Sequence, residues 1–165
     1  MPKALRVIRL DASDTHVFAA VAQPDEWAVP GTTVFASGAF GDPGELKGKA
    51  RQAFVSGFLG CVSFGYSTLV SVGEARTDEL EAAVEALGQH FVRACGAPND
   101  MVAREAAREE MTAAQDLAAD LPLNTLLALA REVGENGELR ERIQVVVPAD
   151  KEAHARIWDV VEEGE

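Results

Sequence analysis

The stretch Thr125-Leu126-Leu127-Ala128-Leu129-Ala130-Arg131-Glu132-Val133-Gly134-Glu135-Asn136-Gly137-Glu138-Leu139-Arg140-Glu141-Arg142-Ile143-Gln144-Val145-Val146-Val147 reads as a β-hairpin. Asn136-Gly137 marks the turn, and two loop lengths are open to it. A two-residue loop sets Arg131 opposite Arg142 and Glu132 opposite Glu141, so that like charges face each other. A three-residue loop, with Gly137 in the left-handed conformation, shifts the register by one. It opposes Arg131 to Glu141 and Glu132 to Arg140, and it stacks Val133 on Leu139, Leu129 on Ile143 and Leu127 on Val145. Matched cross-strand pairs gain, and opposed like charges cost, ~0.2–1 kcal/mol each. The three-residue loop is favoured on both counts.

Upstream of the hairpin, residues 5–10 have strand propensity and Asp11-Ala12-Ser13-Asp14 is turn-like. A second β-leaning stretch runs from His16 to about Val21. Pro24-Asp25-Glu26 turns the chain into Trp27-Ala28-Val29, and Thr32–Ala36 reads as another short strand. Residues 45–59 read as a helix because Leu46, Ala50, Phe54 and Phe58 share one face, with Gly60 as its stop. Tyr66 to Val72 alternates as a strand does. Thr77 caps a helix with the apolar stripe Leu80, Val84, Leu87 and Phe91, ended by Gly96 and Pro98. Asn99 or Asp100 caps the next helix, whose stripe is read as Val102, Ala106, Ala113, Leu117 and Leu121. Downstream of the hairpin, Asp150 caps a last helix that includes Ala153, Ile157, Trp158 and Val161. Strands and helices do not alternate regularly, which argues against a doubly wound parallel sheet. The expectation is a single α+β domain over residues 1–165: a mainly antiparallel sheet of about five or six strands, covered on one face by three to four helices.

The chain has 165 residues, enough to bury a core without disulfide or metal support. Fifteen Lys and Arg against 27 Asp and Glu leave a net charge of −12. Residues 1–51 are neutral and residues 52–165 carry the whole excess. That balance argues against nucleic acid, whose binders cluster positive charge, and against an anionic membrane surface. The opening residues show no signal-peptide pattern, and no stretch approaches the ~20 apolar residues that cross a bilayer. Cys61 and Cys95 form no CxxC and read as buried, reduced thiols. A cytoplasmic location is therefore expected.

Few constellations carry chemistry. The glycine cluster from Gly57 to Gly65 lacks both a P-loop ending and GxGxxG spacing, so a helix end and a tight strand entry explain it better than a phosphate loop. Lys47, Lys49 and Arg51 form the only local basic cluster in the neutral part, a solvated helix face or a site for a small anion or acidic partner. Glu110 falls at the spacing of its helix's apolar stripe and must be paired, hydrogen-bonded or neutralised there. Arg104 or Arg108 could neutralise it. His90, with Cys95 one turn beyond, could meet Glu110 if the two long helices pack antiparallel, to share a proton or hold a metal. A satisfied core contact is the blander reading, no second ligand pair assembles, and neither a metal nor another cofactor is expected. Ser63 and Ser67 sit in no nucleophile elbow. Asp11, Ser13, Asp14 and His16 make a polar cluster that a strand-ending turn explains as well.

Several segments resemble a small family of uncharacterised proteobacterial proteins: Ile8–Asp14, Glu26–Val29, Gly48–Phe54, Ser63–Gly65, Gly96–Pro98 and Asn124–Ala128. An excess of arginine over lysine suits a GC-rich bacterial genome. The resemblance spans nearly the whole chain and transfers no catalytic residue. It implies a place beside redox enzymes or cofactor attachment. The resulting expectation is a non-catalytic accessory or interaction protein of a bacterial redox or cofactor-dependent enzyme system, with a protein partner and a homodimeric state. The alternatives are a small metal- or metabolite-binding enzyme with a pocket near His90 and Glu110, and a regulatory ligand-binding domain.

Overall fold

The computed structural model describes residues 1–148 and 158–162. The elements run β1 (Lys3–Ile8), α1 (Ser13–Val17), β2 (Trp27–Val29), α2 (Thr32–Ala36), α3 (Gly48–Ser56), β3 (Phe58–Gly60), β4 (Tyr66–Ser67), β5 (Leu69–Glu74), α4 (Thr77–Ala94), α5 (Asp100–Ala119), β6 (Leu126–Val133), β7 (Leu139–Pro148) and β8 (Trp158–Glu162). All eight strands join one sheet in the order β4-β3-β2-β1-β5-β6-β7-β8, each paired antiparallel with its neighbours. The class is α+β, as expected, with more strands and one more helix than expected because several elements are only two to five residues long.

The hairpin takes the three-residue loop. Arg131 faces Glu141, Glu132 faces Arg140, Val133 faces Leu139, and the apolar pairs follow in register. Gly137 sits at φ 82°, the left-handed conformation that this loop requires. β1 lies mid-sheet, pairing Leu5 with Ala28 of β2 and with Val72 of β5. α5 packs on β1 and β2, α4 packs on α5, and α3 packs on β6. Leu5, Val7, Phe54, Phe58, Leu59, Leu87, Phe91 and Leu127 are all buried.

Six expectations are corrected. Arg76 and not Thr77 holds the cap position of α4, its amide donating to the Glu79 carboxylate one turn on. The β-leaning stretch from His16 to Val21 starts instead as the short helix α1, held because the buried Asp14 carboxylate accepts from the Thr68 amide and hydroxyl; only Val21 makes a bridge, parallel to Tyr66. Thr32–Ala36 is the helix α2, because the Glu110 carboxylate takes the amides at its start. β-Branched residues in so short a segment follow such tertiary bonds over propensity. The helix read over 45–59 is α3 alone, ending at Gly57, with Phe58 passing into β3 and Ala50 exposed. A Cβ at Gly57 would lie 2.8 Å from the Ala53 carbonyl and 2.9 Å from the Tyr66 ring, so a larger residue could not turn there.

The stripe of α5 is displaced by one residue. It buries Ala103, Ala107, Met111, Ala114 and Ala118 together with Glu110, and Val102 is turned outward. Alanines along that face let the helix backbone lie close to the sheet, which bulkier side chains would prevent. Lastly, Trp158–Glu162 is the strand β8 and not part of a helix. β7 is longer than β6 and offers its outer edge, on which Val161 faces Val145. Asp150, Ala153 and Ile157 lie outside the described residues.

Candidate functional site

Glu110 reaches across from α5 to the start of α2. One carboxylate oxygen accepts from the Gly31 amide at 2.8 Å, and the other from the Thr33 amide at 3.0 Å and the Thr33 hydroxyl at 2.6 Å. Its burial is thereby matched by three donors. Neither Arg104 nor Arg108 neutralises it: they tie α5 to α4 through ion pairs with Glu85 at 2.9 Å and Glu81 at 2.8 Å. His90 is elsewhere. Its ring stacks on Phe64 at 4.1 Å between centroids and 4° between planes, and no hydrogen bond joins it to Glu110. The structure therefore does not bring His90 and Glu110 together. Among the described residues no three His, Cys, Asp or Glu side chains gather as a metal site.

Arg131 is the buried charge that sequence reasoning missed. From β6 it donates to the carbonyls of Phe54 (2.7 Å) and Pro30 (2.6 Å), with longer contacts to those of Ala53 and Gly57. Its Nε bonds the Thr32 hydroxyl at 3.1 Å and the Glu141 carboxylate at 3.3 Å, and the Phe35 ring lies 5.1 Å from the guanidinium. Thr32 in turn donates to Glu141. The guanidinium thus locks α2, the end of α3 and the hairpin to one another. Burial presses its pKa down, while the charges of Glu141 and Glu110 push it back up. The signal was present: Arg131 shares the inward parity of Leu127 and Leu129 on an alternating strand.

Two further carboxylates serve the fold. Asp14 holds Thr68, as above. Glu26 accepts from the amides of Gln23, Val62 and Ser63 and from the Ser63 hydroxyl, so Ser63 is an anchor for its loop. A Cβ on Gly60 would land on that Glu26 carboxylate, and one on Gly65 would land on the Val21 backbone. The glycine cluster is close packing around Glu26 and the α1–β2 connection. Cys61 lies fully buried beside it. Burial, then the charges of Glu26 and Glu110, push its thiol pKa far up, so it stays protonated.

An apolar recess lies among α2, α3, α4 and the chain at residues 19–20 and 64–66. It is a cavity of about 200 Å³ whose walls include Phe35, Phe40, Phe64, Tyr66, His90 and Cys95, with Lys49 at its edge. Most of its walls are apolar, the usual character of small-molecule sites. Burial pushes the Tyr66 hydroxyl up to about 12. Burial also raises the half-buried Cys95 thiol, against a hydrogen bond with Ser37 that lowers it. For His90, burial and then Arg93 hold the imidazole below the ordinary histidine value. The basic trio divides at this point. Lys49 borders the cavity, whereas Arg51 lines a separate groove of about 670 Å³ against the hairpin, and Lys47 is exposed at the start of α3.

The depressed His90 pKa has a measurable sign. Below the ordinary histidine pKa of about 6.5 the unfolded chain takes up a proton that folded His90 refuses, so stability falls as pH drops through that window. His90→Phe keeps a ring on Phe64 and removes the titration. The stability advantage of the parent chain over His90→Phe, from urea unfolding, is expected to shrink between about pH 7.5 and pH 5. A difference that stays flat or grows would show that His90 is not held neutral by the fold.

A protein-family model, described as a family of unknown function (DUF6505), matches residues 1–160. The expected kinship with an uncharacterised family is borne out. No curated protein and no solved structure matches the chain. No helix of the described residues is long and apolar enough to cross a membrane.

Proposed function

We propose, from the premise that this chain belongs to the family of unknown function DUF6505, that it is a non-catalytic accessory protein whose working part is the ring-walled cavity at His90. The observation that carries the reading is the cavity itself: about 200 Å³ of mostly apolar space on which four aromatic side chains and an imidazole converge. The buried ionisable groups support the non-catalytic half of the reading. Asp14, Glu26 and Glu110 spend their hydrogen bonds on backbone and hydroxyl groups, Arg131 adds the Glu141 carboxylate to the same kinds of partner, and none of the four lines the cavity. His90 and Cys95, both held in their neutral forms, supply surface for binding more readily than a proton or a nucleophile.

Single-ring compounds are the right size to test it. A panel of them is expected to raise the unfolding temperature of the parent chain. They should leave Ala50→Phe unmoved, since its added ring enters the cavity from an exposed helix position. If no ring-sized compound shifts the parent chain, the cavity is a packing defect and the reading fails.

The accessory role places the protein beside a larger bacterial redox or cofactor-dependent enzyme. Exposed Glu105, Glu109 and Asp116 along α5 suit a basic or polar partner surface. Affinity purification of a tagged copy from its host at low salt is expected to retain that partner. Recovery of the protein alone would count against this half of the reading.

A further inference from the structure

We infer that the His90 cavity takes a small planar ring bearing one anionic group, with Phe40 closing over the ring and Lys49 facing the anion. The inference rests on the preceding reading that this cavity binds a ligand, and it adds which ligand.

Size limits the choice first. An apolar cavity of about 150 Å³ is known to hold benzene. The cavity here, at about 200 Å³, admits one ring and a short substituent and excludes a fused cofactor. Wall shape limits it next. Phe64 and His90 form a flat double layer, parallel within 4°, and Phe35 and Phe40 stack at 5.7 Å with 29° between planes. Flat aromatic walls favour an offset-stacked planar guest over a puckered one.

Charge then sets the substituent. Lys49 carries the formal charge among the residues that line the cavity, where no carboxylate stands. It makes no ion pair with any described residue. The other polar side chains there, Tyr66, His90 and Cys95, are held neutral at neutral pH. A guest with one negative group therefore meets a single uncompensated cation at the edge and apolar surface within.

Phe40 supplies the closure. Its ring is 49% exposed although it lines the cavity. It stands between Gly38 at φ 80° and Gly41 at φ 90°, in a turn closed by the Gly41 amide on the Gly38 carbonyl at 2.9 Å. A large apolar ring, half in solvent at the mouth of the cavity, can close over a guest by rotation of its side chain, with the turn that carries it unchanged.

The test is equilibrium binding at pH 7.5 with four probes: benzoate, benzyl alcohol, cyclohexanecarboxylate and benzylamine. Benzoate is expected to bind tightest. Lys49→Gln should weaken benzoate about 2–5-fold, the worth of an exposed charge pair, and leave benzyl alcohol unchanged. Phe40→Ala should weaken both, and Phe40→Leu should restore part of the loss. Lys49 is exposed, so an unfolding midpoint equal to the parent's is expected for Lys49→Gln; Phe40 is half-exposed, so its variants are expected to unfold cooperatively at a slightly lower midpoint, which confirms that they fold. If benzyl alcohol or benzylamine equals benzoate, or Lys49→Gln changes nothing, the anionic group is wrong while the cavity's role as a site stands. Cyclohexanecarboxylate binding as well as benzoate would overturn the planar guest. Failure of all four probes on the parent chain would overturn the preceding reading with this one.

Discussion

Arg131→Met is expected to cost about 3–5 kcal/mol of folding free energy, the scale for removing one member of a buried charged network. Methionine matches the length and the burial. The loss is therefore assigned to hydrogen bonds: the carbonyls of Phe54, Pro30 and Gly57 would lose this donor in a space that water does not reach, while that of Ala53 keeps the Gly57 amide. Arg131→Lys should fall between the two, because an ammonium offers three donors on one atom where the guanidinium offers five in a fork. Glu141→Gln separates the carbonyl contribution from the ion pair. Glu141 keeps 25% of its side chain in solvent, so neutralising it should cost under about 1 kcal/mol. Urea unfolding of the three variants gives the comparison. Equal losses in Glu141→Gln and Arg131→Met would make the ion pair the hub, and a loss under about 1 kcal/mol in Arg131→Met would leave no hub at all.

The second large effect falls on Glu110→Gln. The amide keeps one acceptor and turns an NH₂ toward either the Gly31 or the Thr33 amide, so one buried N–H loses its partner. The expected cost is about 1–3 kcal/mol. Because α2 is only five residues long, it has little helical stability of its own, and its first turn depends on that carboxylate. α2 also carries Val34 and Phe35 into the ring-walled cavity. Glu110→Gln should therefore speed hydrogen exchange at the Thr33 amide and weaken binding of ring compounds together. Exchange and binding both unchanged would mean that α2 forms without Glu110.

The hairpin was legible because its contacts are local: opposed charges and apolar pairs a few residues apart chose between two registers. The long helix α4 was legible for a similar reason, since Leu80, Val84, Leu87 and Phe91 do mark its buried face. α5 was not, because alanine gives no contrast: Ala103, Ala107, Ala114 and Ala118 are buried while Ala113 is exposed. Glu110 was correctly drawn onto the inward face, but its partners lie 77 and 79 residues away on a segment that reads as a strand. Arg131 was paired with Glu141 from strand geometry, yet its four carbonyl acceptors come from loop and helix-end backbone, which has no sequence signature. A pocket near His90 and Glu110 was expected; the cavity has His90 in its wall and not Glu110, and the rest of its lining was out of reach in the same way. Its walls come from separate segments between Ala19 and Cys95, and only His90, Cys95 and the basic cluster stood out beforehand.

The mid-sheet position of β1 bears on how the chain is made. During synthesis Ala4, Leu5 and Val7 leave the ribosome ahead of every element that covers them. The short strand β2 can join them early, but their main partner, β5, ends only at Glu74, and α5, which packs on them, ends only at Ala119. Until then an apolar strand stands uncovered with one edge open, the kind of segment that associates between nascent chains. The charged side chains Lys3, Arg6 and Arg9, interleaved through and just beyond that strand, are of the kind that discourages such association.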